Sequence, residues 1–224
     1  LKNSIELPVS RLKAWKDGVF DGAGYEIYGL QTPVFTEING GTIKNLTLSG
    51  SIDQDGNNYG SLVRIMTGGT IENCVNNTAV KGMAYVGGLV GVLKDSSNVV
   101  IKDCVNNGNV SVSQEASSCG YCGGIVGSSA GTISNVQITG CKNTGEIYAS
   151  AFGAGGIISA LSSGNDTVSI TNCENTGSVT MSSTAPAGGI IATAQNTIRI
   201  NGCVNSGEIT SSRYAGGISG QGGN

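Results

Sequence analysis

The chain of 224 residues contains no histidine, which removes the commonest general base near neutral pH and the commonest metal ligand. Charge is scarce as well: charged side chains make up 12% of the sequence, about half the usual share. The 12 lysines and arginines stand singly among 15 aspartates and glutamates, for a net charge of −3. With no basic patch to neutralise a phosphate backbone, nucleic acid is not an expected partner. No apolar run reaches the roughly 18 residues of a membrane-spanning helix, so no membrane insertion is expected. The chain opens without a charged n-region and an apolar h-region, and reads as a mature or excised piece of a longer protein. No cofactor is expected.

Glycine, by contrast, is abundant at 37 residues, more than twice the usual share, and it follows a repeat. The motif I-x-x-C-x-N-x-G-x-[IV] places cysteine at Cys74, Cys104, Cys141, Cys173 and Cys203, at spacings of 30, 37, 32 and 30 residues. Ile71, Ile101, Ile138, Ile170 and Ile200 stand three residues before these cysteines, and Asn76, Asn106, Asn143, Asn175 and Asn205 two residues after. A degenerate copy precedes them, with Ile43, Leu46, Leu48, Gly50 and Ile52 in the same places. Each unit then closes on a glycine pair: VGGLVG from Val86, CGGIVG from Cys122, AGGIIS from Ala154, AGGIIA from Ala187 and AGGISG from Ala215. Length varies most between the two signatures, the mark of a surface loop.

Short β-branched runs punctuated by Gly, Asn and Ser read as strands and corners, not helices. A period near 30 fits one coil of a parallel β-helix with two or three short strands per turn. The fold class expected is therefore all-β, a solenoid of about six coils, in which each residue lies ~4.8 Å above its equivalent in the next coil. The cysteines then form a column of small apolar side chains headed by Leu46, and the asparagines an amide ladder. Asparagine also tolerates a left-handed corner. The three-residue step from Ile to Cys implies a bend between two inward-facing positions.

The GGLVG and GGIVG segments, the N-C-x-N-x-G units and the opening FDGAGYEIYGL followed by NGGTIKNLTL resemble the GLUG-motif repeats of bacterial cell-surface and secreted proteins, over roughly residues 19–220. Ser159 and Ala192 depart from that pattern, standing where the closing glycine belongs. The resemblance implies a β-solenoid in an extracellular, cell-surface setting and carries no catalytic residues with it.

The candidate sites differ in chemistry. The ladder cysteines are expected to be reduced, because in-register parallel neighbours fit a disulfide's torsion poorly. Cys119 and Cys122, in SCGYCGG, form a C-x-x-C that lacks further ligands for zinc; a loop-clamping disulfide and simple burial of Cys122 both remain open. Asp53, Asp55 and Asn57 make an oxygen-rich turn with the first positions of a calcium loop, but without its sixth-position glycine or closing glutamate, so an ordinary solvated turn is the competing reading. Asp95, Asp103, Glu146, Asp166, Glu174 and Glu208 are dispersed; Glu146 and Glu208 share a column interrupted by Ser178, which argues against a paired-carboxylate glycosidase centre. The column two residues before the glycine pair holds Tyr85, Tyr121, Gly153, Pro186 and Tyr214, with Phe152 beside the gap. Such a strip either stacks on sugars or packs under the variable loops.

Residues 1–35 differ in texture and are expected to cap the solenoid of residues 36–224 within one structural domain, with Leu12, Trp15 and Phe20 over the first coil and a short amphipathic helix an option. The ending GGISGQGGN offers no comparable cap, so further domains of a parent chain are expected. The sequence thus points to a non-catalytic adhesion or ligand-binding module at the bacterial surface, with glycan or a host surface protein as partner. A carbohydrate-active enzyme on a β-helix scaffold and a passive spacer are the alternatives.

Overall fold

The computed structural model describes residues 1–7, 12–112, 120–161, 168–194 and 198–222. Among them there is no helix, and the strands build a parallel β-solenoid of about six turns. Register follows the repeat. Ile71 pairs with Ile43 and Ile101, Ile101 with Ile138, and Ile170 with Ile138 and Ile200. Leu46 pairs with Cys74 and Leu48 with Asn76, so two leucines head the thiol and amide columns.

A full coil carries five short strand segments rather than two or three, for example Ser97–Lys102, Val105–Asn106, Val110–Val112, Tyr121–Gly123 and Val126–Ala130. The first break has a local cause. The residue before each ladder cysteine, and before Leu46 at its head, turns left-handed: Asn45, Asn73, Asp103 and Asn172 have φ of 53°, 49°, 54° and 52°, while Gly140 and Gly202 have φ of 62°. Only Asn, Asp and Gly visit this region cheaply, and the column holds nothing else. The corner expected at the ladder asparagines therefore lies three positions earlier. This bend lets Ile and Cys both face inward, as with Ile101 and Cys104, each 0% exposed.

The interior is two hydrophobic columns rather than one. The larger takes the Ile and Cys positions together with Leu89, Ile125, Ile157 and Ile190; the smaller holds Val80, Val110, Ile147 and Val179 opposite Val86, Cys122, Ala154 and Ala187. Between them runs the amide ladder. Asn76 Nδ2 donates to Asn106 Oδ1, Asn106 to Asn143, Asn143 to Asn175 and Asn175 to Asn205, each at 2.7 Å. Each amide also donates to the carbonyl two residues on, as Asn106 does to Gly108 at 2.8 Å. The second glycine of the first four pairs lies against this ladder: a methyl at Gly124 would run into the Gly156 carbonyl and the Asn143 carboxamide, and Gly88, Gly156 and Gly189 are equally tight, whereas Gly217 of the last pair has nothing within 4 Å. The glycine pair exists so that the coil can pinch onto its own polar seam.

Residues 12–35 form no helix. Leu12 bridges to Phe35 and Trp15 to Ile38, while Val19–Asp21 and Glu26–Leu30 pair in parallel with the first repeat strand, Phe35–Asp53. Parallel pairing already satisfies the backbone, so a helix has nothing to offer there. Trp15, Phe20 and Phe35 meet edge to face, with centroids 5.7, 6.1 and 5.6 Å apart.

Candidate functional site

Tyr121 pairs with Gly153 and Pro186 with Tyr214, so the aromatic column is in register. Within it the Tyr85 and Tyr121 rings stack, with centroids 5.6 Å apart and planes at 10°, and Phe152 joins Tyr121 at 5.5 Å and 36°. Phe152 remains 44% exposed. One coil without a ring, that of Pro186, separates Tyr214 from this run, and Tyr214 lies instead under Arg213, whose guanidinium carbon is 4.8 Å from the ring centroid. Three of the four aromatic candidates therefore form one strip, and the fourth stands apart.

Tyr85 has φ of 50°. A bulky residue in the left-handed region costs about 1–2 kcal/mol, and the fold makes room for it. Gly127, the closing glycine of CGGIVG, has the position of its missing methyl 2.6 Å from the Tyr85 carbonyl carbon; Gly91 stands likewise 2.5 Å from that of Asn58, where φ is 64°. Ser159 occupies the closing position of the next unit, and there Tyr121 is not left-handed; the Ser159 hydroxyl is buried without a hydrogen-bond partner.

Beside the tyrosines lies a groove of about 320 Å³, lined by Tyr85, Tyr121, Ser128, Ser129, Gly131 and Leu161 among others. The serines lie within the strand Val126–Ala130 and Leu161 ends the strand Ile158–Leu161, where no local sequence motif marks them. The groove combines ring edges, hydroxyls and small side chains, with Asp95 at its margin: the carboxylate lies over Gly131 and accepts from the Thr132 amide at 3.3 Å. This set can hold a polyhydroxylated ligand by contact and hydrogen bonding.

The other candidates resolve differently. All five ladder cysteines carry free thiols, each donating to a backbone carbonyl of the preceding coil, as Cys141 does to Ile101 at 3.6 Å. Contact with the Cys141 and then the Cys74 thiol, with burial behind them, holds the Cys104 thiol well above its ordinary range. Cys122 is likewise free and buried, donating to the Val110 carbonyl at 3.3 Å, and burial pushes its thiol far up. Its place between Val86 and Ala154 explains why a small side chain suffices there. Cys119 lies outside the described residues, as does Asp166.

The calcium candidate is committed elsewhere. The Asp53 carboxylate pairs with Lys81 Nζ at 3.0 Å, and the Asn57 carbonyl accepts from Arg64 at 3.0 Å. One Asp53 carboxylate oxygen and the Asn57 backbone carbonyl are thus engaged by chain cations. Among the described residues no group of three or more metal-ligating side chains converges. Glu146 and Glu208 do share a column with Ser178 between them, since the three carbonyls accept from Val110, Ile147 and Val179 in turn. Glu146 is hydrogen-bonded to Asn109, and Glu174 pairs with Lys142 at 3.0 Å.

No protein-family model matches the chain. It is 28% identical over 113 residues to the zinc metalloprotease ZmpC of Streptococcus pneumoniae serotype 4, covering 50% of this chain and 6% of that protein. It is 30% identical over 150 residues to an immunoglobulin A1 protease of S. pneumoniae strain R6, covering 63% of this chain and 7% of that protein. A crystal structure of a Bacteroides ovatus protein, provisionally assigned as an immunoglobulin A1 protease, superimposes with a TM-score of 0.63 at 21% identity, over 89% of this chain and 68% of the other. That likeness establishes the β-helical fold, and the sequence similarity ties this chain to a stretch spanning 6–7% of two much longer streptococcal proteins.

Proposed function

We propose that this chain is a rigid, non-catalytic ligand-binding module of an extracellular bacterial surface protein, built of GLUG-type repeats, and that the groove beside Tyr85 and Tyr121 binds glycan. The observation that carries the reading is the stacked strip itself. A left-handed tyrosine is held at an energetic cost beside a groove, in a scaffold where the backbone is otherwise satisfied by coil-to-coil pairing, and stored strain of this kind clusters at binding sites. Aromatic edges next to hydroxyls suit sugars, which offer both C–H faces and hydroxyl groups.

The chemistry of the groove supports binding over turnover. The chain has no histidine, its acids are dispersed or paired, and the groove residues contribute hydroxyls rather than titrating groups apart from Asp95 at the edge. The cell-surface setting rests on the repeat resemblance and on the similarity to segments of streptococcal proteins named as proteases. A glycan array tests the reading: saturable binding to the chain should fall at least about tenfold, ~1.4 kcal/mol, in Tyr85→Ala and Tyr121→Ala. Release of reducing ends or unsaturated products from a polysaccharide panel would replace it with a catalytic role, and silence in both assays with that of a spacer.

A further inference from the structure

The aromatic groove is not the largest concavity on the molecule. On the outward face of the first coils, an open trough of about 460 Å³ is lined by Gly29, Gln31, Gly50, Ser51, Asp53 and Gln54. It meets a second hollow of about 180 Å³ at Ser51 and Asp53, which continues past Ala79 and Lys81 to Asn109 and Ser111. Together they cross four successive coils, a length of about 14 Å at ~4.8 Å per step.

The trough follows from which side chains occupy two outward columns. The first column reads Ser51, Ala79, then Asn109; the second reads Asp53, Lys81, Ser111, then Tyr148. Small side chains and Gly50, whose backbone leaves no room for a methyl against Leu30, set the floor. One coil further on, Glu146 and Tyr148 fill the same positions and close the channel. Gln54 reaches across to the Gln31 carbonyl at 3.2 Å, and Lys81 to Asp53 at 3.0 Å. The walls thus present amides, hydroxyls and one neutralised ion pair, with donors and acceptors interleaved.

From this geometry we infer that the trough is a second binding site, separate from the tyrosine groove, and that it takes an uncharged oligosaccharide lying along the solenoid axis. A peptide is disfavoured by two features. Peptides dock on open strand edges or through apolar anchors, and here the strands run across the channel with their hydrogen bonds already made to neighbouring coils, while Ile52 and Val80 point inward at 1% exposure. An anionic chain is disfavoured because the single ammonium in the floor is already paired and Glu146 stands at the closed end. Uncharged hydroxyls match the interleaved amides without displacing either partner of the ion pair.

Titration calorimetry on the full chain with cellohexaose, chitohexaose and mannohexaose, and with a hyaluronan hexasaccharide as the anionic comparison, tests this. At least one uncharged hexasaccharide should bind; Ser51→Tyr, which fills the floor from an exposed position, should weaken that binding about tenfold. Tyr85→Ala/Tyr121→Ala should leave a residual site that adding Ser51→Tyr abolishes. Should Ser51→Tyr fail to fold, Gln54→Ala with Lys81→Gln takes its place with the same expectation. Unchanged binding in the trough variants, no residual site in the tyrosine variant, tighter binding of hyaluronan, or no binding of any hexasaccharide each overturns the inference. Loss in Ser51→Tyr with none in the tyrosine variant would instead sustain the trough and refute the aromatic groove.

Discussion

Asn143 makes three hydrogen bonds through one carboxamide: it donates to Asn175 at 2.7 Å and to the Gly145 carbonyl at 2.9 Å, and accepts from Asn106 at 2.7 Å. All three are buried and none can be replaced by water. Asn143→Ala should therefore cost about 2–4 kcal/mol, since partners left unsatisfied are charged their full desolvation; the urea midpoint of the variant measures it. The thiols make a different prediction. Cys122 is held above its ordinary range by burial in the folded chain, while unfolded cysteine ionises near ~8.5. Below that pH both states keep the proton and the stabilisation is fully present. As pH rises past it the unfolded state loses its protons first, so the melting temperature should fall between about pH 8.5 and 10. Cys122→Val, which copies Val86 in the same column, should flatten that slope. Ellman's reagent should titrate Cys203, the half-buried end of the ladder, ahead of Cys74, Cys104, Cys141 and Cys173.

At the scale of elements, the glycine pair and the amide ladder are one device, because the chain can pinch between its two hydrophobic columns only where the second glycine has no side chain. Gly124→Ala should then destabilise by more than about 2 kcal/mol, near the upper range for a crowded core, and a thermal melt against Gly217→Ala separates this from ordinary glycine effects, since Gly217 holds the same place in the last pair with nothing within 4 Å and no left-handed φ. The opening segment acts as an element too. Deleting residues 1–23 removes Trp15 and Phe20 from Phe35 and uncovers the strand edge from Phe35 to Lys44; open edges pair with other chains. The expected outcome is loss of monodispersity in size-exclusion chromatography, and an undiminished monomer would remove the capping role. The interior columns are legible in the sequence because equivalent residues recur at the consensus positions. The left-handed corner is legible too, in the run Asn45, Asn73, Asp103, Gly140, Asn172 and Gly202 at one place in the repeat, yet the ladder asparagine is the more conspicuous residue and points to the wrong corner. The absence of a helix near Trp15 is not legible, since local propensity there is overruled by pairing with the first repeat.

For the molecule as a whole, every coil touches chiefly its two neighbours, so stability should behave as a sum of coil and interface contributions. Asn205, bonded to a single neighbouring amide and half-buried, should cost less on replacement by alanine than Asn143; equal losses in the urea midpoint would contradict nearest-neighbour behaviour. The charge ladder adds little to this sum. Lys44–Asp21, Lys81–Asp53, Lys102–Glu72 and Lys142–Glu174 span register partners at 3.7, 3.0, 3.0 and 3.0 Å, but all are solvated, and exposed pairs contribute ~0–1 kcal/mol each. Their use is in register, placing opposite charges one coil apart.

Sequence alone determined the solenoid, its repeat boundaries and the identity of its two interior ladders. A period imposed by stacking must reappear as a period in residue type, because each coil meets the same neighbours as the last. Tertiary structure alone decided which aromatics meet, that Tyr85 turns left-handed, that Asp53 is spent on Lys81, and that a trough crosses the outer face. Those features arise where the repeat is broken, by a small side chain in one coil and a large one in the next, and a concavity made of differences between coils carries no motif of its own.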